Sequence, residues 1–599
     1  MTVLKEKLSD TREQYEKAQK LIEEESKSDP VTEPYRSHYK ACQVLLDLEK
    51  NILNVLQDIP ADSETQRAYN AILCHVLKEI GRIYMFTEEL SNGEKYFKKA
   101  LDHIKEASAT SEDDPMFIPV LVDTLNQLSI LWSQRENLEQ SKEFLEMAEK
   151  SYKKFREVPG ATALTISDIF GGSSDDVEQG KGDIALEKLH TLTLYYMAQV
   201  LGNLGDLHKS ANYCHQTLKR QIEYNDYEPI DWALNAATLS QYYFTKNALK
   251  QSRHLLAAAS YMLDKYEQDI CAMELSEEQK KTKMDTLNHR SADVARCWAK
   301  YGIHILSTSK DRLMQDTDEE ADAAEINKEM ENLTLNNEFY EFKTLSLSLY
   351  ENQVGCDFVL TYDDAKLVFV NAQAWLNKAK EHYTAESEAT EYARIVQDHV
   401  SLYKYLAFFD EDDANRCKFH RRRADMLEEL VQLLNPTYYL VICREIWYEL
   451  GLTYSTMLDI KLTALENIPA DQRPTPHQLN KINKLCDSSI KSFQKYLDSY
   501  NKATETIPTN LSVDEMHPVL FAYFHIGRLF YKIITPDKKM QLWNIKNSLK
   551  YYEMLVKGCT ENAEAGELLK AEMGVCKQMT NLLPLKIQKL FAEIQNEGN

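Results

Sequence analysis

At 599 residues the chain is several times longer than a usual single domain, so several domains or one extended repeat array is expected. A net charge of −24, from 94 acidic and 70 basic residues, argues against nucleic acid or an anionic membrane as the main partner and leaves room for a basic protein surface. Only 17 glycines and 15 prolines occur, which excludes a turn-rich sheet protein and favours long helices throughout.

The opening residues MTVLKEKLSD carry charges where a secretory segment needs an apolar core. Eleven cysteines are scattered singly with no CxxC pair, the pattern of reduced thiols in the cytosol. No apolar run approaches the roughly 18 residues needed to span a bilayer. Even YYLVICREIWYEL is broken by Arg444 and Glu445. A cytoplasmic chain without membrane insertion is expected.

Along the chain the main signal is a repeat. A small residue is followed three positions on by a bulky one. A second small residue falls twelve after the first, then a bulky one at sixteen and a small one at nineteen. In tetratricopeptide hairpins the small residues let helices cross closely and the large ones fill the layer between. The first copy reads Gly81, Tyr84, Gly93, Phe97 and Ala100, and the second Ser129, Trp132, Ser141, Leu145 and Ala148. A loop with GGSSDD and QGKG follows between Val158 and Asp183. The third copy reads Ala198, Leu201, Ser210, Cys214 and Thr217, and the fourth Ser240, Tyr243, Ser252, Leu256 and Ala259.

Beyond them the copies loosen. Helices around Trp298 and Trp375 and the stretch Val396 to Leu433 read as degenerate hairpins, flanking an acidic segment from Ser307 to Glu351 that lacks repeat anchors. Gly451 and Tyr454 open a further hairpin whose second helix carries Ser489 and Phe493, after an insertion around IPADQRPTPHQ. Gly527 and Phe530 open another with Ser548 and Tyr552, and Glu564 to Ile594 read as a terminal cap. The expected fold is all-α: a tetratricopeptide-like, right-handed α-solenoid of helical hairpins in two arms. Residues 1–306 form the first arm, 307–351 a helical linker, and 352–599 the second arm with its cap helices.

Chemistry is sought without success. GNLG at Gly202 to Gly205 lacks both the preceding strand and the following Lys-Ser/Thr of a phosphate loop. No HExxH, GxSxG or paired-cysteine motif occurs, and the run from Asp316 has Ala321 where a calcium loop needs glycine. Cys74-His75 and Cys214-His215 are adjacent pairs, which point in different directions on a helix. The basic cluster RCKFHRRR, Arg416 to Arg423, reads as an exposed helix face balanced by Glu411 to Asp413 or as part of a partner-binding surface, with a nuclear signal or phosphate patch as the rival readings. No catalytic, cofactor or metal constellation emerges, and a non-enzymatic binding protein is expected.

In such an array the first helix of each hairpin lines the concave groove. Positions just before and after the first small residue select Tyr196 and Gln199 in the third copy and Thr238 and Gln241 in the fourth. Gln221 falls at the lip, and Glu79, Arg82 and Gln127 are the equivalents in earlier copies. Burial between hairpins competes with groove exposure for Tyr196. A polar set of this kind suits a groove that receives a partner helix.

The run LYYMAQVLGNLGDLHKSANYCHQTLKRQIEYNDYEPIDWALNAATLSQYY, Leu194 to Tyr243, resembles the signature region of the KIF-binding protein family, also called kinesin-binding protein. So does VQDHVSLYKYLAFFDEDDANRCKFHRRRADMLEEL with LNPTYYL, and shorter matches run in family order from about Tyr35 to the last helix. The resemblance implies a two-armed solenoid that clasps the motor domains of selected kinesins and keeps them off microtubules. It also implies roles in axon growth, mitochondrial transport and cytoskeletal organisation, a cytoskeleton-associated location, and other cytoskeletal proteins as further candidate partners. Tyr196, Gln199, Gln221 and Thr238 fall in the family's motor-contacting region, the first three on its motif. The loop at Val158 to Asp183, the linker and the segment before Tyr35 match poorly. The rival reading is a general scaffold or chaperone adaptor, which needs a converging Lys/Arg carboxylate clamp; Lys78 and Arg82 in the first copy offer its beginnings.

Overall fold

The computed structural model of the chain describes residues 2–60, 63–107, 114–171, 180–314, 341–466, 474–500 and 511–597; of Thr2 to Glu6 and Glu597 it gives the backbone alone. Among the described residues helices dominate and no strand occurs. No helix there is long and apolar enough to cross a membrane, and no disulfide joins any of the eleven cysteines. The chain divides into two compact units, Met1–Tyr242 with Glu338–Thr344, and Tyr243–Asn337 with Leu345–Asn599.

The first unit holds α1 (Thr2–Glu23), α2 (Arg36–Asp58), α3 (Glu64–Phe86), α4 (Leu90–Ala107), α5 (Ile118–Gln134), α6 (Leu138–Arg156), the single turn α7 (Ile166–Ile169), α8 (Lys181–Asn203), α9 (Leu207–Glu223) and most of α10 (Pro229–Thr245). Successive helices pair as hairpins, α3 with α4, α5 with α6, and α8 with α9. The repeat spacing explains how. A Cβ added to Gly81 would sit 2.7 Å from the Phe97 ring, so the glycine of α3 is the seat for the aromatic of α4. In the next hairpin the Ser129 and Ser141 hydroxyls meet at 2.7 Å, and Ser141 also donates to the Ser129 carbonyl at 2.9 Å. Ser210 donates to the Ala198 carbonyl at 2.7 Å in the third. Small size brings the helices close, and the serine hydroxyl then satisfies itself on the facing backbone.

The turn between paired helices repeats as well. Glu88, Glu136, Gly205 and Asn247 each lie seven residues after the first small residue of their copy, and each has positive φ, at 65°, 60°, 86° and 58°. The next backbone N–H then reaches back to the bulky anchor's carbonyl: Glu89 to Tyr84 at 2.8 Å, Asn137 to Trp132 at 3.0 Å, Asp206 to Leu201 at 3.0 Å and Ala248 to Tyr243 at 2.9 Å. This is the left-handed helix stop closed by a six-residue hydrogen bond. Asn137 and Asp206 then cap the following helix through their side chains.

The second unit continues with α11 (Leu249–Ala272), α12 (Glu277–Met314), the turn α13 (Ser348–Glu351), α14 (Tyr362–His382), α15 (Ala389–Phe409), α16 (Asp413–Leu433), α17 (Leu440–Glu466), α18 (Pro476–Asp498), α19 (Val513–Lys532), α20 (Lys538–Glu561), α21 (Ala563–Leu568) and α22 (Lys570–Glu597). Trp298 of α12 stacks on Trp375 of α14 at 5.6 Å, and a Cβ on Gly302 would meet Ala372 at 2.8 Å. The two late hairpins repeat the early chemistry despite their insertions. Phe493 covers Gly451 and Tyr552 covers Gly527, with Cβ clearances of 2.7 and 2.9 Å. Ser489 and Ser548 donate to the Gly451 and Gly527 carbonyls, both at 2.7 Å. In the basic cluster Arg416 pairs with Asp413 at 3.0 Å, whereas Arg423 is 3% exposed and bound to Glu449. Residues 172–179 of the expected loop and 315–340 of the expected linker, with Asp316 to Ala321, lie outside the described residues.

Candidate partner-binding clefts

In the first unit α8, α9 and α10 enclose two adjoining clefts. α10 is anchored on α9 by Trp232, which is 1% exposed and donates its indole N–H to the Leu218 carbonyl at 3.0 Å. Phe342 packs edge-on against Trp232 and stacks on His215, with centroids 5.3 and 5.2 Å away. The first cleft, about 390 Å³, is lined by Tyr195, Gln199, Gly202 and Asn203 of α8, Ser210, Cys214, Thr217 and Gln221 of α9, and Asn235 of α10. Burial pushes the Cys214 thiol up to about 12, which keeps it an unreactive lining group. The second cleft, about 450 Å³, shares Tyr195, Gln221 and Asn235 and adds Lys188, Thr191, Asp226, Tyr227, Glu228 and Asp231.

Gln221 stands at the seam of the two. Its side-chain oxygen is sealed from solvent and has no hydrogen-bond partner among the described residues. An unsatisfied buried amide costs about 1–3 kcal/mol, so a donor supplied by a partner would be rewarded there. Of the three rim carboxylates, Asp226 is paired with Lys188 at 2.9 Å, while Glu228 and Asp231 are solvent-exposed. The rim is therefore acidic, and suited to a basic partner.

Beneath the second cleft lies a closed ionic cluster. Arg220 and Arg156 both bind the Glu187 carboxylate, which also accepts the Tyr152 hydroxyl at 2.8 Å. Burial works against the Glu187 charge, but the Arg220 and Tyr152 hydrogen bonds and the two guanidinium charges prevail and hold its pKa below the ordinary range. Arg220 further donates to Thr191 at 3.1 Å, which fixes the floor of the cleft.

The residues expected to bind a partner divide. Gln199 is exposed and lines the first cleft, and Gln221 lines both. Thr238 is exposed one turn beyond Asn235 on α10, and Gln241 is half-buried a turn further on. Tyr196 packs with Tyr213 and Leu204 against Leu145, Met197, Val200 and Leu201, and burial raises its phenol pKa. Tyr195, edge-on to Tyr196 at 5.3 Å, takes the cleft-lining place. Tyr195, Asn203, Asn235 and the acidic rim escaped the sequence reading. Tyr195, Gln199 and Gly202–Asn203 nonetheless share one face at helical spacing, which was the available signal.

The equivalent positions in the earlier copies are engaged in ion pairs and hydrogen bonds. Lys78 is 6% exposed and paired with Glu79 at 2.6 Å and Asp123 at 2.8 Å. Arg82 pairs with Glu79 at 3.0 Å, and Gln127 donates to Asp123 at 3.3 Å. Burial alone would lower the Lys78 pKa, but Asp123 and Glu79 raise it. Lys78 is thus engaged inside the unit, and no carboxylate clamp opens there.

A family profile described as "KIF-1 binding protein C terminal" matches residues 230–590. KIF-binding proteins from Drosophila melanogaster, Gallus gallus and Homo sapiens are 41%, 36% and 32% identical, covering 100%, 97% and 96% of this chain and 100%, 97% and 97% of their own. Two solved structures are similar along nearly the whole length. One is titled "Kinesin binding protein (KBP)", with TM-score 0.63, 29% identity and coverage of 96% of this chain and 98% of its own. The other is titled "Cryo-EM map of KIFBP", with TM-score 0.65, 26% identity and coverage of 99% and 100%.

Proposed function

The chain belongs to the KIF-binding protein family, and on that premise we propose that it binds kinesin motor domains through the paired clefts of α8, α9 and α10. Binding there occupies the motor's microtubule-facing surface and keeps the motor off its track. The protein acts by occupancy, without catalysis, and its loss or excess is expected to alter organelle transport, axon growth and cytoskeletal organisation. A cytoplasmic, cytoskeleton-associated location goes with this reading.

The observation that carries the partner class is similarity along the whole chain to proteins named for kinesin binding. Physical chemistry supports the location. A surface that docks on acidic tubulin is basic, and the second cleft offers it an acidic rim. A helix entering the clefts could satisfy the Gln221 oxygen while contacting Tyr195, Gln199 and Asn235.

The test is direct binding of a panel of purified kinesin motor domains to the full chain at low and high salt. Binding that weakens with salt mainly through slower association is expected. A Gln199→Lys, Thr238→Lys variant, altered at two exposed positions, should bind at least tenfold more weakly with unchanged thermal stability. Unchanged affinity in that variant would remove the clefts from the account, and no binding across the panel would remove the partner.

A further inference from the structure

Away from the clefts, the second unit gathers three side chains of metal-ligating type, two flanking one turn and the third from a helix earlier in the chain. His289 lies on α12, His382 is the last residue of α14, and Glu388 immediately precedes α15. One ligand atom from each lies within 4.8 Å of the others. The two imidazoles stack at 4.8 Å with 21° between their planes, which sets their ring edges side by side. We propose that His289, His382 and Glu388 form a binding site for a first-row divalent cation of the zinc type.

Three features make this more than proximity. The ligands are available: none of the three side chains hydrogen-bonds to another described residue. Glu388 occupies the N-cap position of α15 without using its carboxylate as a cap. The rings are also held in place. Tyr383 packs edge-on against both, at 5.6 Å from His289 and 5.1 Å from His382. Tyr383 is itself 2% exposed, and its hydroxyl donates to Asp293 at 2.5 Å. Asp293 is fixed in turn by Arg290 at 3.1 Å.

The donor set also fits the ion. Two imidazoles and one carboxylate are a common zinc ligand set that leaves a fourth position for water or a partner's side chain. Zinc–nitrogen distances of about 2.0–2.1 Å place tetrahedral ligands about 3.3 Å apart. Closing from within 4.8 Å to that spacing asks for a small adjustment among one exposed and two half-buried side chains. An ion there would staple α12 to the turn between α14 and α15.

The test uses the full-length protein, stripped with a chelator and titrated with Zn²⁺ by calorimetry and with Co²⁺ by absorption. One saturable site is expected, with Co²⁺ visible bands of nitrogen/oxygen ligation and no thiolate charge-transfer band. His289→Phe and His382→Phe, which keep the ring stack, should each weaken binding at least tenfold, as should Glu388→Gln at its exposed position. Bound Zn²⁺ should raise the melting temperature of the parent chain and leave that of the variants unmoved. If either histidine variant fails to fold in the absence of metal, Glu388→Gln decides. No saturable site, thiolate bands, or an affinity that ignores Glu388→Gln would each overturn the proposal.

Discussion

Five buried histidines make the protein acid-sensitive as the pH falls through the range where a free histidine titrates. Burial, reinforced by neighbouring cations, pushes His75, His190 and His420 down to about 3, and His399 and His525 down to about 4. In the unfolded chain each titrates near 6.5. Above that pH both states are neutral and nothing is lost. As pH falls below it, the unfolded chain takes up protons that the folded chain refuses, so stability falls with pH. Between pH 7.5 and 5.8 each histidine costs about 1 kcal/mol, hence about 2 kcal/mol in the first unit from His75 and His190 and about 3 kcal/mol in the second. Glu187, Asp123 and Glu94 are held below the ordinary carboxylate range and titrate below this window.

Thermal unfolding at constant ionic strength should therefore show melting temperatures lower by roughly 4 °C at pH 5.8. His190 supplies the control. Its ring stacks on Tyr152 at 3.6 Å, and neither ring nitrogen has a hydrogen-bond partner among the described residues. His190→Phe keeps the stack and removes the titration. It should leave stability at pH 7.5 nearly unchanged and remove about 1 kcal/mol of the first unit's pH dependence. A melting temperature flat from pH 7.5 to 5.8, or a His190→Phe slope equal to the parent's, would refute the reasoning.

Gly81→Ala, Gly451→Ala and Gly527→Ala each push a methyl to within 2.7–2.9 Å of a ring and should cost about 1–3 kcal/mol in urea unfolding. Gly574→Ala, in open space on α22, should instead stabilise by about 0.5–1 kcal/mol. Lys78→Met leaves half-buried Asp123 without its cation and Glu79 with Arg82 alone, and should destabilise by about 3 kcal/mol, read in the same assay.

The hairpins were legible because their packing is local in sequence. Gly81 meets Phe97 and Ser129 meets Ser141 at short fixed offsets, so the spacing itself encodes the contact. The late hairpins remained readable through Gly451 with Phe493 and Gly527 with Tyr552, because the added residues mainly extend the paired helices towards their turn without altering the anchors. The clefts were half legible. Gln199 and Gln221 line them, but adjacent residues on a helix stand about 100° apart, and that rotation separates Tyr195 from Tyr196. Lys78 looked available because its partner Asp123 sits one hairpin later, which no spacing rule reveals. His289, His382 and Glu388 come from three helical segments and form no motif.

Co-sedimentation of purified kinesin motor domains with microtubules, in a tight-binding nucleotide state, tests the central claim most directly. Added to the mixture, the full chain should move selected motors from the pellet to the supernatant in complex with itself, and the Gln199→Lys, Thr238→Lys variant should leave them on the microtubule. Motors that stay in the pellet at saturating concentrations of the parent chain would contradict the account.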